Sequence, residues 1–460
     1  MAAQTLKLER SDIQGLVARG YGRLKEARFI LLRVEEPKRA CAWLLDVAAS
    51  ITSAVDDAER AAVNIAFTAR GLSKLGLPSK TMRGFSLEFR EGMMSAHRSR
   101  VLGDRGNSAP ERWRWGGHAN PDVDIILLLY AVEESALDES LSLVAGGGKG
   151  IDEVAVLSTV SLTDREHFGW HDGISQPSIE GLMCSQSAAD TVAAGEFLLG
   201  YPNEYGLMGD GPVLDPEADP DRILPHHLGG ADFGRNGSYL VVRHITQDVP
   251  GFWRYMTAAG DGDHDEAVRL ASKMIGRWPS GAPLVASPER DEPALGNDND
   301  FGYHRIDPHG LACPKGSHVR RAHPRDSLDP NPGTGKSLEI SRRHRILRRG
   351  RQFGSWTSPI IPFSKTLEDD GERGLYFMCL NANLARQFEF IQHTWINNPK
   401  FDGLYEDMDP VVATASTTFT APAMPLRRRV TGVPGFVTVR GGAYFFLPGI
   451  RALRYLASLR

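Results

Sequence analysis

A histidine followed by guanidinium groups is the first feature of this chain with a chemical reading. In GLACPKGSHVRRAHPR (310–325), His318 follows a small serine and precedes Arg320, Arg321 and Arg325. A neutral imidazole can bind a transition metal, and guanidinium groups pair with carboxylates, so the run suits a metal cofactor bearing carboxylates. The competing reading is an ordinary structural or exposed residue, since His318 is one of 14 histidines. A second run, FGWHDGISQPSIEG (168–181), brackets Asp172 with Gly169 and Gly173. Glycines there admit positive φ or close approach of a ligand, and a buried Asp is an acid–base group; turn capping is the alternative. In HRILRRGRQFG (344–354), Arg348 and Arg349 stand beside Ile346 and Leu347. Cationic runs are usually solvated, but this mixture suits an arginine drawn into an apolar cavity.

Other chemistries find less support. AGGGKG (145–150) lacks the Ser or Thr that follows Lys in a phosphate loop, and PNPGTGKS (330–337) has Pro330 where the opening glycine belongs. The four cysteines, Cys41, Cys184, Cys313 and Cys379, form no CxxC pair, which argues against a zinc ribbon, an iron–sulfur cluster or a disulfide scaffold. A net charge of −4 gives no basic footprint for nucleic acid. No apolar run reaches spanning length, so no membrane partner is expected. The start MAAQTLKLERSD has neither an apolar leader nor a twin arginine, and the expectation is a cytoplasmic protein with reduced thiols.

Elements must bring these distant runs together, and 460 residues are enough for two or three cores. Apolar and alternating runs predict strands at 29–34, 62–68, 124–131 and 153–162, with helices over 37–53, 69–76 and 133–145. The rhythm returns with a strand at 238–245, helices over 248–259 and 264–276, a strand at 375–380 and a helix over 382–397. Strand-like runs within 435–447 are interrupted by Gly441 and Gly442. This order predicts an α+β chain of two ferredoxin-like domains with antiparallel sheets. The first domain is 1–204, carrying Asp172; a Gly-, Pro- and Asp-rich connection spans 205–235; the second domain is 236–460.

In that order, GxxDG at 169–173, HVR within CPKGSHVRRAHPR and LRRGRQFG resemble the dye-decolorising peroxidases. GEFLLGYPNEYG (195–206), GLYFMCLNANLARQFEFIQHTWIN (374–397) and PGFVTVRGGAYFFLPG (434–449) extend the resemblance over most of the chain, towards the longer members. Gln176 departs from the Asn that many relatives carry, outside the acid–base position. The resemblance implies one haem b per chain, held mainly by the C-terminal domain, with His318 as the axial ligand of iron. The second nitrogen of His318 then needs an acceptor, and Glu389 in QFEFIQ is the candidate, against an ordinary surface glutamate. Asp172 and Arg348 fall on the opposite, distal face, with Arg349 as the alternative one position along. Gly173 lets backbone approach the cofactor. Leu375 and Phe377, two apart in a strand, share a face and would lie over the haem, unless they are plain core. Arg320 and Arg325 are candidates for the haem carboxylates, with Arg321 in solvent.

The implied reaction is reduction of hydrogen peroxide through a ferryl intermediate, followed by one-electron oxidation of a dye, a phenol or a similar small-molecule reductant. Two rivals use the same scaffold. A haem-handling protein, deferrochelatase-like or haem-transferring, would need His318 but neither Asp172 nor Arg348. A binding module that has lost its cofactor would need none of them. The sequence does not choose between Trp356 and Trp395 as an electron relay, and it leaves a homo-oligomer open.

Overall fold

Seven buried residues in a row make Ile125–Ala131 a strand covered on both faces. It is the third of nine strands in one antiparallel sheet: β1 Glu26–Val34, β2 Ala61–Phe67, β3 Ile125–Ala131, β4 Ile151–Ser158, β5 Ser238–Gln247, β6 Leu347–Arg348, β7 Arg351–Phe353, β8 Gly374–Asn381 and β9 Val437–Leu447. The computed structural model describes residues 7–144, 150–183, 188–227, 230–355, 371–413, 415 and 417–459, so most of AGGGKG, Cys184 and Trp356 lie outside it. Along the sheet the order is β6-β8-β5-β9-β2-β3-β1-β4, with β7 continuing the β6 edge on β8.

Each half of this order is a ferredoxin-like unit. In the first, β1 leads through α1 (Pro37–Ser50) to β2, and β3 leads through α2 (Glu134–Val144) to β4, with spatial order β4-β1-β3-β2. The second repeats the pattern. β5 is followed by α3 (Val249–Ala259) and α4 (His264–Ile275), then by the β6–β7 edge, β8 and β9. Asp248 and Asp263 cap these two helices by accepting from the N–H groups of Gly251 and Glu266, at 2.8 and 3.0 Å. The halves meet where β9 pairs with β2 at Phe446 and Phe67. One apolar cluster runs across that join, from Trp43 and Leu44 on α1 through Val241 and Tyr444 to Leu453 and Leu456 on the C-terminal helix α6 (Ile450–Ser458).

Three expectations about elements change. Residues 437–447 do not break at the glycines: β9 is continuous, Gly441 and Gly442 pair with His244 and Arg243, and the irregularity is a bulge at Arg440 between Gly441 and Val439. A Cβ on Gly441 would come within 2.6 Å of the Trp115 indole nitrogen, so this glycine makes room for that ring. The helix expected over 382–397 is reduced to a short turn, Phe388–Phe390, continued by a wide π-type turn, Ile391–Ile396. Gln387 Oε1 takes the N–H groups of Ala382 and Asn383, which holds the preceding residues out of the helix. Segment 205–235 is also more than a connection. It carries strands Val213–Leu214, His226–His227 and Gly230–Asp232 and lends Leu214, Leu224 and Phe233 to the core. Among the described residues, no helix is long and apolar enough to cross a membrane.

Candidate active site

Helix α4 stops at Gly276, whose φ of +103° is natural only for glycine. A Cβ there would also strike Val319, so Gly276 lets a short helix, α5 (His318–Ala322), abut the end of α4. His318 heads α5 and lines a cavity of about 320 Å³. Its Nδ1 lies 2.9 Å from Oδ2 of Asp409. The other Asp409 oxygen accepts from the N–H groups of Val411 and Val412, both at 2.9 Å. Burial opposes ionisation of Asp409, yet His318 and these N–H groups hold its carboxyl below the usual range. Burial likewise opposes charge on His318, but the Asp409 carboxylate outweighs it and raises the imidazole pKa. Nδ1–H therefore donates to Asp409, and Nε2 is left as a strongly basic ligand.

Asp172 and Arg348 line the same cavity. Gly169 and Gly173 both have positive φ, +115° and +83°, and shape the turn that presents Asp172. Glu166 ties that turn down: its carboxylate accepts from Phe168 N, Trp170 N and Gln247 Nε2 at 2.8, 3.0 and 2.9 Å. Arg348 Nη1 donates to Asp172 Oδ1 at 3.0 Å, and Gly173 N donates to the same oxygen at 2.6 Å. Enclosure pushes the Asp172 pKa up, but Arg348 and Gly173 prevail and hold it below the ordinary carboxylate range. Gln176 fixes the arginine from the other side by accepting from Arg348 N at 3.1 Å. Arg349, next along the edge, points away and donates to Leu16 O and Val17 O at 2.8 and 3.0 Å.

The floor and the far end of the cavity differ in character. Ile245, Leu375, Phe377 and Val439 come from adjacent strands of the sheet and are apolar. Arg277, Arg325 and Arg345 gather at the other end, around the half-buried His323. Burial, then the charges of Arg345, Arg325 and Arg277, drive the His323 pKa well below normal, so it is neutral and accepts from Arg345 Nη1 at 2.8 Å. Asp190, 3.3 Å from Arg345, is the acid in reach, and Arg345 Nη2 is buried with no partner. An orphaned guanidinium nitrogen beside other buried cations calls for an anionic ligand. A flat, apolar group with carboxylates at one edge and a metal for His318 Nε2 fits these walls.

The chain and its fold have counterparts among known proteins. The chain is 30% identical to a dye-decolorizing peroxidase of Exidia glandulosa over 97% of its own length and 86% of the relative's. It is equally identical to a multifunctional dye peroxidase of Amycolatopsis, over 75% of this chain and 74% of that one. The chain belongs to the dye-decolorising peroxidases. No family model matches it. A solved decolorizing peroxidase from Auricularia auricula-judae superimposes with a TM-score of 0.80 at 25% identity, covering 98% of this chain and all of that one. A dye-decolorizing peroxidase solved in complex with 2,6-dimethoxyphenol gives a TM-score of 0.78 at 27% identity, with the same coverage. The fold is therefore the two-domain ferredoxin-like one of these enzymes, and the chain is a haem peroxidase of the dye-decolorising family.

Within this peroxidase, His318, Asp172, Gly173, Arg348, Arg325, Leu375 and Phe377 all line the one cavity. Three sequence expectations are corrected. Glu389 is not the acceptor behind His318; Asp409 is, and Glu389 instead accepts from Tyr444 and Arg98 at 2.7 and 2.9 Å. Arg320 turns away from the cavity. It donates to Asp307 and Cys313 O and stacks 4.5 Å over the Tyr303 ring. Arg321 is not solvated but fully buried, bonded to carbonyls of Trp395, Asn398 and Asp407. Helix geometry sets both: His318, Val319 and Ala322 of α5 line the cavity, and at about 100° per residue Arg320 and Arg321 fall on the opposite side of that face. Asp409 and Arg345 went unrecognised. A signal for Arg345 existed, since it lies three residues before Arg348 in the same basic run. Trp395 is buried at 5% exposure.

Proposed function

We propose that the chain holds one haem b in this cavity, with His318 Nε2 on the iron, and uses it to reduce hydrogen peroxide at the expense of dyes, phenols or similar small reductants. The His318–Asp409 pair and the Asp172–Arg348 pair lining one cavity carry this reading. When bound, haem supplies a redox-active iron that passes two electrons to peroxide and takes them back singly from the reductant. Asp409 keeps the Nδ1 proton in place and makes His318 a basic ligand. Arg345 and Arg325 would hold the haem carboxylates, for which Arg345 Nη2 offers a buried N–H without a partner. Leu375 and Phe377 keep water from the reacting oxygens. Asp172 Oδ1 is occupied by Arg348 and Gly173, so Oδ2 is the atom that takes the first proton from peroxide and returns it to the departing oxygen. Arg348 stabilises the negative charge that grows as the O–O bond parts.

The test is the absorption spectrum of the haem-supplemented protein beside His318→Ala. The wild type should show a Soret band of five-coordinate ferric haem, and the variant should lose haem or change its spectrum. Identical spectra would remove His318 from the iron.

A further inference from the structure

The carboxylate expected behind His318 has a different place, in the wall between the cavity and the outer surface of the protein. Tyr444 is 2% exposed, and its hydroxyl donates to Glu389 Oε1 at 2.7 Å. Among the described residues it is the one tyrosine whose hydroxyl donates to a carboxylate. Glu389 Oε2 accepts from Arg98 Nη1 at 2.9 Å, and Arg98 Nε donates to Glu91 at 2.8 Å. The Glu389 side chain is 3% exposed and that of Glu91 34%, so a buried phenol is linked to the surface through ionisable groups.

On its inner side the phenol is one ring removed from the cavity. Phe377 and Phe388 both line the cavity, with their ring centres 6.2 Å apart. The Tyr444 ring stands 6.3 Å from Phe388, edge to face. Burial, reinforced by the neighbouring Glu389 charge, holds the Tyr444 pKa well above normal, so the phenol does not ionise by itself. Burial also raises Glu389 above the usual carboxylate range, against the pull of Tyr444 and Arg98, which makes it a better base. An electron can leave this tyrosine only if its proton moves to Glu389.

We infer that Tyr444 is a redox-active tyrosine, giving one electron to peroxide-oxidised haem in the cavity while its hydroxyl proton passes to Glu389. The phenolic O–H bond breaks, an O–H bond forms on Glu389 Oε1, the haem is reduced by one equivalent and a neutral tyrosyl radical remains. An electron from a phenol-class reductant, with the proton returned by Glu389, restores the tyrosine. The site then stores an oxidising equivalent one aromatic ring away from the chamber where peroxide reacts. This rests on the reading of the cavity as the haem site.

Freeze-quenched electron paramagnetic resonance after one equivalent of peroxide, without reductant, tests it on the haem-loaded protein. The wild type should give a tyrosyl signal that narrows when ring-deuterated tyrosine is incorporated. Tyr444→Phe should lose that signal while still binding and oxidising haem, and Glu389→Gln should lose most of it although the tyrosine is present. Tyr130→Phe is the control, because the buried Tyr130 hydroxyl has no acceptor and its removal should change nothing. A wild-type protein without the radical, or a Tyr444→Phe signal of parental size, overturns the inference and leaves the haem site standing. A full signal in Glu389→Gln overturns the proton transfer. Failure to bind haem at all would bring down both readings.

Discussion

At the scale of single residues, the site depends on two carboxylates whose surroundings set them to different tasks. Asp409 is sealed against His318 and two backbone N–H groups and has no free oxygen for a substrate. Asp172 keeps one oxygen towards the cavity and stays ionised because Arg348 and Gly173 outweigh the effect of enclosure. Asp172→Ala and Arg348→Ala should both retain haem, since neither side chain holds it. At least one should slow the peroxide step by about 100-fold or more, the usual yield of a proton-transfer group or a charge-stabilising donor. Stopped-flow absorption after mixing with peroxide measures this, and parental rates in both variants would take the distal role from the pair. His318, Asp172 and Arg348 were legible because each sits in a local run whose chemistry survives without the fold. Asp409 was not. It lies 91 residues from His318, in an irregular stretch also holding Asp402, Glu406 and Asp407, and only the fold singles it out. Glu389 misled for the same reason, since a glutamate in an apolar run reads alike whichever cavity wall it backs.

Elements explain why such distant runs converge. The cavity floor is the sheet face carrying Arg243, Ile245 and Gln247 on β5 and Leu375 and Phe377 on β8, an alternation visible in the sequence. The loop bearing Asp172 belongs to no regular element, and Glu166 holds it to β5 through Gln247. Burial raises the Glu166 pKa to about 6, with its three hydrogen bonds opposing and Asp172 adding to the rise. A carboxyl that binds its proton more tightly folded than unfolded stabilises fully below the unfolded value near 4.5, and that stability is lost as the pH rises through 6. The loss amounts to at most about 2 kcal/mol. Urea unfolding of the wild type should therefore weaken between these pH values by more than that of Glu166→Gln, which has no proton to lose. Equal slopes for the two proteins would show that Glu166 does not titrate there. Strands and capped helices were readable because their signals are local. The π-type turn after Phe390 was not, because Gln387 enforces it through contacts made only once β8 and the segment around Glu196 are in place.

The whole molecule joins its two ferredoxin-like units through one sheet and through two apolar clusters that each draw on both units. Asp172 comes from the sequence before the join, while His318, Arg348 and the floor strands follow it, so the cavity exists only when both units are assembled. The C-terminal helix α6 delivers Leu453 and Leu456, both fully buried, to a cluster that includes Trp43 and Leu44 of the N-terminal unit and Val241 of β5. Unfolding either unit would strip this cluster, and separate transitions are therefore disfavoured. Leu456→Ala removes a fully buried side chain at a point far from the cavity and should cost about 2–5 kcal/mol. If the molecule behaves as one cooperative body, far-ultraviolet circular dichroism and the haem absorption band should shift to lower denaturant together, with midpoints that still coincide. A shift in circular dichroism with the haem band unmoved would mean that the C-terminal unit holds its cofactor without the N-terminal one, and that the shared core does not couple them.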